Sequence, residues 1–378
     1  MATLRNFTRR FFIIANLVVI VLFLLACVNA YLHPAKWWFI SILGLIFPLL
    51  LALVLLFVIL WLFFSRPYWA VVCLVVLLIG WKNIHAFFGF NLSASFQQNK
   101  PDSALRIITW NVRRWDEFIT NRIGASGHRM KMLDFLKEQN GDVLCLQEFF
   151  ESHNPREIAS NIPYIQQQLH YPYFYFSRDY VHYNGVYESG VVIFSKFPII
   201  DSARIKYDNK EAQRAAESLI SVDLDVNGKT IRVFTTHLQS VLFGSKEFRD
   251  IEIIKSVDDS SLQASKSIVK KLRRAYGLRG TQADVVREAI DKSPFPTVIC
   301  GDFNDVPNSY AYFHIRGDMQ DAFITKGFGV GRSYVHISPT LRIDYIFAGN
   351  RLSVLQCKKF DLPYSDHHPV VADIVLKN

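Results

Sequence analysis

Residues 297–304 read TVICGDFN, and the fold turns on how that stretch is understood. Thr297, Val298, Ile299 and Cys300 are β-branched or apolar, too short a run for a helix and suited to a buried strand. Gly301, Asp302 and Asn304 then end the run with turn-forming and polar groups. The same construction recurs along the chain. IITW at 107–110 runs into Asn111, VLCL at 143–146 into Gln147 and Glu148, and VFTT at 233–236 into His237. Arg342 and Ile343 lead to Asp344, and Tyr364 and Ser365 to Asp366, His367 and His368. Strands are predicted at 105–110, 142–147, 190–195, 230–236, 297–300, 342–347 and 369–375, and helical spacing at 130–139, 262–276 and 281–291. Together these predict a mixed α/β domain rich in sheet, with its polar strand ends converging at one edge.

Upstream the composition changes. The first 100 residues hold seven basic side chains, Arg5, Arg9, Arg10, Lys36, Arg66, Lys82 and Lys100, and no acidic one. Residues 101–378 carry 35 basic against 33 acidic groups, so the formal charge of +9 belongs mainly to a hydrophobic, basic-flanked N-terminus rather than to a polyanion-binding surface. This excludes a wholly soluble protein, a disordered chain and a small disulfide scaffold. Residues 11–32 are apolar apart from Asn16 and Asn29 and are long enough to cross hydrocarbon. A signal peptide would be shorter and followed by soluble sequence, whereas a second apolar run occupies 37–64. Trp37, Trp38, Trp61, Phe63 and Phe64 mark its ends as an interfacial belt, and Pro48 is tolerated inside it. A third predicted span, 68–88, requires Lys82 to snorkel to the headgroups.

Arg5, Arg9 and Arg10 hold the N-terminus in the cytoplasm, so three crossings export everything after residue 90, and two would leave it inside. The expected organisation is a multi-pass anchor over 1–90, a polar linker over 91–103 and one large domain over 104–378, facing away from the cytoplasm. Cys27 and Cys73 in the spans, and the odd set Cys145, Cys300 and Cys357, are expected to be buried free thiols. Residues 241–279 place Lys266, Lys270, Lys271, Arg273, Arg274 and Arg279 beside Glu247, Asp250, Glu252, Asp258 and Asp259. That pattern reads as a solvated helical face of mixed charge, or as a surface for lipid headgroups or a phosphate backbone.

The polar strand ends carry the chemistry. A carboxylate there loses hydration unless it is paired or binds a cation, so Glu148, Asp302, Asp344 and Asp366 drawn together need positive charge. Oxygen donors favour a hard divalent ion, Mg²⁺ above all with Mn²⁺ as the alternative. Neither a Cys pair nor HExxH spacing is present to support zinc. Taken singly the residues have plainer readings: His237 a satisfied core histidine, Asp344 a structural ion-pair acid, Asn111 a strand-end cap, and 301–304 a turn.

Taken together, TWNV (109–112), LQE (146–148), SGVVIFSK (189–196), TTHL (235–238), GDFN (301–304), RIDYIF (342–347) and SDHHPV (365–370) stand in a recognisable order. Over about residues 104–376 the sequence resembles the endonuclease/exonuclease/phosphatase superfamily, and most closely its membrane-anchored bacterial branch. The resemblance implies a four-layer α/β/β/α sandwich of two mixed β-sheets behind N-terminal transmembrane helices, and divalent-metal-dependent hydrolysis of phosphodiesters. Position by position it implies a metal site at Asn111, Glu148 and Asp366, with Glu148 the principal ligand. Asp302 would activate the attacking water, Asn304 hold phosphate or water, His237 donate to a phosphate oxygen, and Asp344 orient the catalytic His367. His368 falls at a variable position and stays outside the site. The resemblance gives the reaction type and not the substrate, because one constellation serves many phosphoesters; a nucleic acid or general phosphodiester is expected first, with a phospholipid headgroup as the alternative. The partner expected is the lipid bilayer, with no obligate protein partner. Retention of every site residue type speaks against an inactive membrane scaffold.

Overall fold

The computed structural model describes residues 2–117, 127–207, 216–242 and 261–377, with side chains described from residue 7 at the N-terminus and from residue 265 in the helix that begins at Ser261. The chain forms two compact units, each assembled from separate parts of the sequence.

The first unit holds the described residues within Met1–Phe88, Gly244–Thr281 and Val306–His314. Its apolar sequence forms α1 (Ala2–Val28), α2 (Pro34–Leu45), α3 (Phe47–Phe63), α4 (Pro67–Ile79) and α5 (Trp81–Phe87). Among the described residues one helical stretch, Phe7–Tyr31, is long and apolar enough to cross a membrane alone; α2 with α3, and α4 with α5, reach that length only as pairs bent by 53° and 66°. The runs expected to be continuous at 37–64 and 68–88 are therefore each broken. Pro48 has no N–H to donate to the last turn of α2, so a new helix starts there. At the second break Gly80 allows close packing, since a Cβ would come within 2.6 Å of the Phe23 ring. Contacts order the segments as antiparallel neighbours: Phe12 lies 6.3 Å from Phe64 at one end, and Lys82 Nζ donates to the Tyr31 hydroxyl at 3.1 Å at the other.

The long helix Ser261–Asp291 runs through what the sequence pattern reads as two helices. Its glycines are points of close approach rather than breaks, Gly280 having room for no Cβ beside Pro34 Cγ at 2.6 Å. Lys266, Lys270, Arg273 and Arg274 are exposed, and the Arg273 guanidinium lies 5.5 Å over the Trp38 ring. Arg279 is instead buried, 4.7 Å over Tyr276. Glu247, Asp250, Glu252, Asp258 and Asp259 lie outside the described residues.

The second unit holds the described residues within Gly89–Phe243, Gln282–Asp305 and Ile315–Asn378. Beyond a lone pair, β1 (Gly89–Phe90) with β12 (Phe328–Gly329), it contains two sheets. The seven-stranded sheet runs β14 (Leu352–Lys359), β15 (Val370–Leu376), β2 (Leu105–Asn111), β3 (Val143–Ser152), β6 (Tyr187–Ser195) and β4 (Tyr173–Phe176), with β5 (Tyr180–His182) also on β6. The six-stranded sheet runs β11 (Gln320–Asp321), β13 (Asp344–Ala348), β10 (Thr297–Asp302), β9 (Lys229–His237), β8 (Glu217–Val226) and β7 (Ile199–Ile205). Both are mixed: β2/β3 and β9/β10 are parallel, and their neighbours pair antiparallel.

Ile107, Cys145 and Ile193 of one sheet meet Ile220, Val233 and Cys300 of the other in a common core. On the opposite face of the seven-stranded sheet, α6 (His128–Gln139) and α7 (Ile162–Gln168) contribute Leu133, Leu136 and Ile165 to a second core. This is the layered α/β sandwich of two mixed sheets expected from the sequence. All five cysteines are free and buried. The polar stretch 91–103 is tied along this unit, because Arg106, paired with Asp373 at 2.7 Å, also donates to the carbonyls of Gln97 and Gln98.

Candidate active site

Parallel strands bring their carboxyl ends to one edge, and here two parallel pairs do so. Asn111 pairs in register with Gln147 across β2/β3, and Asp302 with His237 across β10/β9 and with Asp344 across β10/β13. Gly301 makes the second junction feasible. Its φ of +141° is unfavourable for residues with side chains, and a Cβ would overlap the Thr236 carbonyl oxygen. Glu148 reaches the site by a different device: the β3/β6 register shifts between Leu146 and Phe149, and Glu148 itself is left-handed at φ 48°.

Asn111 lies between two carboxylates. Its Nδ2 donates to Asp302 Oδ2 at 3.0 Å and to Glu148 Oε1 at 3.2 Å. His237 Nε2 and His367 Nε2 approach Asp302 Oδ2 at 3.5 and 3.6 Å, and His367 Nδ1 donates to Asp344 Oδ2 at 3.0 Å. Asn304, left-handed at φ 51°, donates its backbone N–H to Asp302 Oδ1 at 2.8 Å, and its Nδ2 donates to Leu238 O at 3.0 Å. The loop bearing His367 is pinned from beneath: Trp110 Nε1 donates to His367 O at 2.9 Å, and Ser365 Oγ donates to Asn111 O at 2.8 Å.

The remaining expected residues fall at the border. Ligand atoms of Asp302, Asp344 and His367 lie within 4.8 Å of one another, whereas Asp366 is half-buried beside Arg113 Nε at 3.3 Å. His368 turns away, accepting from Leu362 N–H at 3.2 Å. The electrostatics follow from crowding. Burial disfavours the charged Glu148, yet the charges of His237 and Arg114, with the Asn111 hydrogen bond, outweigh it and hold its pKa below the usual range. Burial raises Asp302, opposed by His367 and reinforced by Asp344. Burial disfavours protonated His237, but its hydrogen bond to Glu217 and that carboxylate's charge push it up to about 9. His367 is likewise raised well above its ordinary value, against burial, by the charges of Asp344 and Asp302.

Three contributors escape a reading by motif. Glu217 pairs with His237 Nδ1 at 3.3 Å and accepts the Glu148 backbone N–H at 2.9 Å. Ser333 Oγ accepts from Ile343 and Asp344 N–H, at 2.9 and 3.1 Å, and so fixes Asp344. Residues 113–116, one residue beyond Asn111, hold four successive left-handed conformations, a strain that the buried Trp115 helps to lock. The one available signal was strand pairing, since Glu217 stands opposite His237 in the β8/β9 ladder.

The Glu148 and Asp302 carboxylates thus meet beside the Asn111 amide, between two histidines held toward the protonated state; Asn111 Nδ2 faces the carboxylates while its Oδ1 accepts the Arg113 backbone N–H at 3.0 Å. Hard carboxylate oxygens suit Mg²⁺ or Mn²⁺, so these side chains fit a divalent ion.

A family model described as the endonuclease/exonuclease/phosphatase family matches residues 108–367. A second, described as a domain of unknown function, matches residues 9–87. No curated protein matches the sequence. Among solved structures, an endonuclease/exonuclease/phosphatase from Beutenbergia cavernae is similar at 20% identity, over 72% of each chain, with a TM-score of 0.48. The human Nocturnin catalytic domain with bound sulfate is similar at 17% identity, over 74% of this chain and 97% of that one, with a TM-score of 0.48. A family protein from Leptotrichia buccalis is similar at 16% identity, over 72% of this chain and 99% of that one, with a TM-score of 0.49. With a family match that spans well over half of its length, the chain belongs to the endonuclease/exonuclease/phosphatase family.

Proposed function

We propose that the protein is a membrane-anchored, divalent-metal-dependent phosphodiesterase of the nuclease kind. One observation carries the reading: a single amide, Asn111, stands between the Glu148 and Asp302 carboxylates while two histidines flank the same Asp302 oxygen. Glu148, with Asn111 through its Oδ1, would hold Mg²⁺, with Asp366 at the border. The ion, when bound, supplies Lewis-acid polarisation of the phosphoryl and leaving oxygens.

The side chains do the rest. Asp302, oriented by the Asn304 backbone N–H, accepts the proton of the attacking water. His237, kept protonated by Glu217, donates to a non-bridging oxygen where negative charge develops. Asp344 holds His367 protonated and oriented to stabilise that charge or protonate the leaving group. The Asn304 amide, held on Leu238 O, borders the phosphoryl group or the water.

The anchor is residues 1–90, the linker 91–103 and the phosphoesterase domain 104–378. Three crossings fit the antiparallel order of the apolar segments, because Tyr31 and Lys82 lie side by side at one end while Phe12 and Phe64 meet at the other. The domain then lies outside the cytoplasm. A phospholipid-headgroup phosphodiesterase is the second reading, favoured by the apolar helix Phe7–Tyr31 that would keep the domain at a bilayer.

Full-length protein in detergent, assayed with Mg²⁺ or EDTA against DNA, RNA, sphingomyelin, phosphoinositides and a bis-aryl phosphodiester, tests both readings. Glu148→Gln is expected to weaken Mg²⁺ binding and lower turnover. Undiminished hydrolysis in excess EDTA would overturn the metal assignment.

A further inference from the structure

Amides are costly inside apolar helices and rarely lack a purpose there. Among the polar side chains that the first unit buries in its apolar part are Asn29, Ser41 and Asn83, at 0, 3 and 5% exposure. They converge on Asn308. Asn29 Nδ2 donates to Asn308 O at 2.6 Å, and Asn83 Nδ2 donates to Asn308 Oδ1 at 2.9 Å. Asn83 Nδ2 also donates to Cys27 O at 3.2 Å, and Ser41 Oγ donates to Asn29 Oδ1 at 3.2 Å. Gly44 closes the arrangement, since a Cβ there would lie 2.6 Å from both Asn29 Nδ2 and Asn308 O. A buried network with its members satisfied in this way selects one geometry.

Asn308 belongs to the segment Val306–His314, which folds with the apolar helices. In the chain it follows Asn304 after Asp305, Val306 and Pro307 only. Three intervening residues, one with its φ fixed by a pyrrolidine ring, separate Asn308 from Asn304 and leave little slack between them. Beyond Asn308, Ser309 Oγ accepts the Tyr312 N–H at 3.1 Å and caps the helix Tyr310–Arg316.

We propose that Asn308 is a positioning residue. Asn29 and Asn83 grip it, the grip sets the course of the loop carrying Asp302 and Asn304, and hydrolysis depends on the apolar helices as well as on the phosphoesterase residues. This rests on the reading of Asp302 as the water-activating group.

The test uses full-length protein in detergent micelles with Mg²⁺ and bis(4-nitrophenyl) phosphate, and hydrogen exchange of the backbone over residues 302–309. Asn83→Leu and Asn308→Leu are each expected to lower kcat by about tenfold or more with KM within about twofold, and the double variant to be no worse than either single one. Asn308→Asp, which keeps the acceptor for Asn83, is expected to retain kcat within about threefold of the parent. Exchange at 302–309 should quicken in the Leu variants and not in Asn308→Asp. A folded Leu variant with unchanged kcat, or with unchanged exchange, overturns the proposal. Should a Leu variant fail to fold, Ser41→Ala, which removes only the hydroxyl that orients Asn29, is judged by the same two measurements. A wild-type protein that hydrolyses nothing would instead defeat the functional reading, and exchange alone would then decide the clamp.

Discussion

Asp302 is the residue on which the site converges, with Asn111, His237 and His367 all directed at its Oδ2. His367→Ala and Asp302→Asn are each expected to lower kcat on the order of 10³-fold, as loss of a positioned acid/base group or charge-stabilising donor does. His368→Ala should change it only a few-fold, because that ring faces Leu362 and Asp361. Equal losses at the two histidines, measured under saturating substrate, would reassign the catalytic ring. His237 gives a pH dependence. Its folded pKa of about 9 stands above the ordinary 6.5, so its pairing contributes stability that is complete below pH 6.5 and lost as pH rises through about 9. In EDTA the Tm should fall across that window, and His237→Asn should flatten the fall. Glu217→Gln should move it to lower pH by removing the main group that opposes burial. A Tm profile identical in all three proteins would show that the pair does not titrate there. His237 was legible from TTHL, whereas Glu217 was not, because a lone acid opening a strand has no motif of its own.

Elements explain where sequence reading stopped. All seven predicted strands exist, with ends moved by a few residues, because each carries an apolar run too dense to belong elsewhere. β4, β7, β8 and β14, with the two- and three-residue strands β1, β5, β11 and β12, went unanticipated. β7 is mostly exposed and carries no apolar stripe, and β8 alternates apolar residues with Ser and Asp over a stretch that is nonetheless buried. The break between α2 and α3 was visible as Pro48, but its effect depends on whether neighbours re-satisfy the freed carbonyls. Within β10, Gly301 is the sharpest element-scale test. Gly301→Ala places a Cβ against the Thr236 carbonyl at a φ that L-residues avoid, and should cost about 3 kcal/mol or more in denaturant unfolding. A variant as stable as the parent would mean that β9 and β10 can separate at that point.

For the whole molecule the sharpest question is sidedness. The apolar segments, with Arg5, Arg9 and Arg10 ahead of them, predict that a reporter active only outside the cytoplasm gives signal after Asn99 and none after Arg66. No signal after Asn99, with a cytoplasm-active reporter positive there, would put the domain inside and point to intracellular substrates. The family, the α/β class and the apolar N-terminus are legible in local pattern, because strand-end polar groups adjoin the apolar runs that position them. Tertiary contacts are needed to see that Glu217 serves His237, that Asp366 pairs with Arg113 while Asp302, Asp344 and His367 close together, and that Asn308 lies between Asn29 and Asn83. The last pairs join residues 279 and 225 positions apart. Local pattern records which face a residue presents, but strand register, bulges and helix packing choose its partner, and those are set by the rest of the chain.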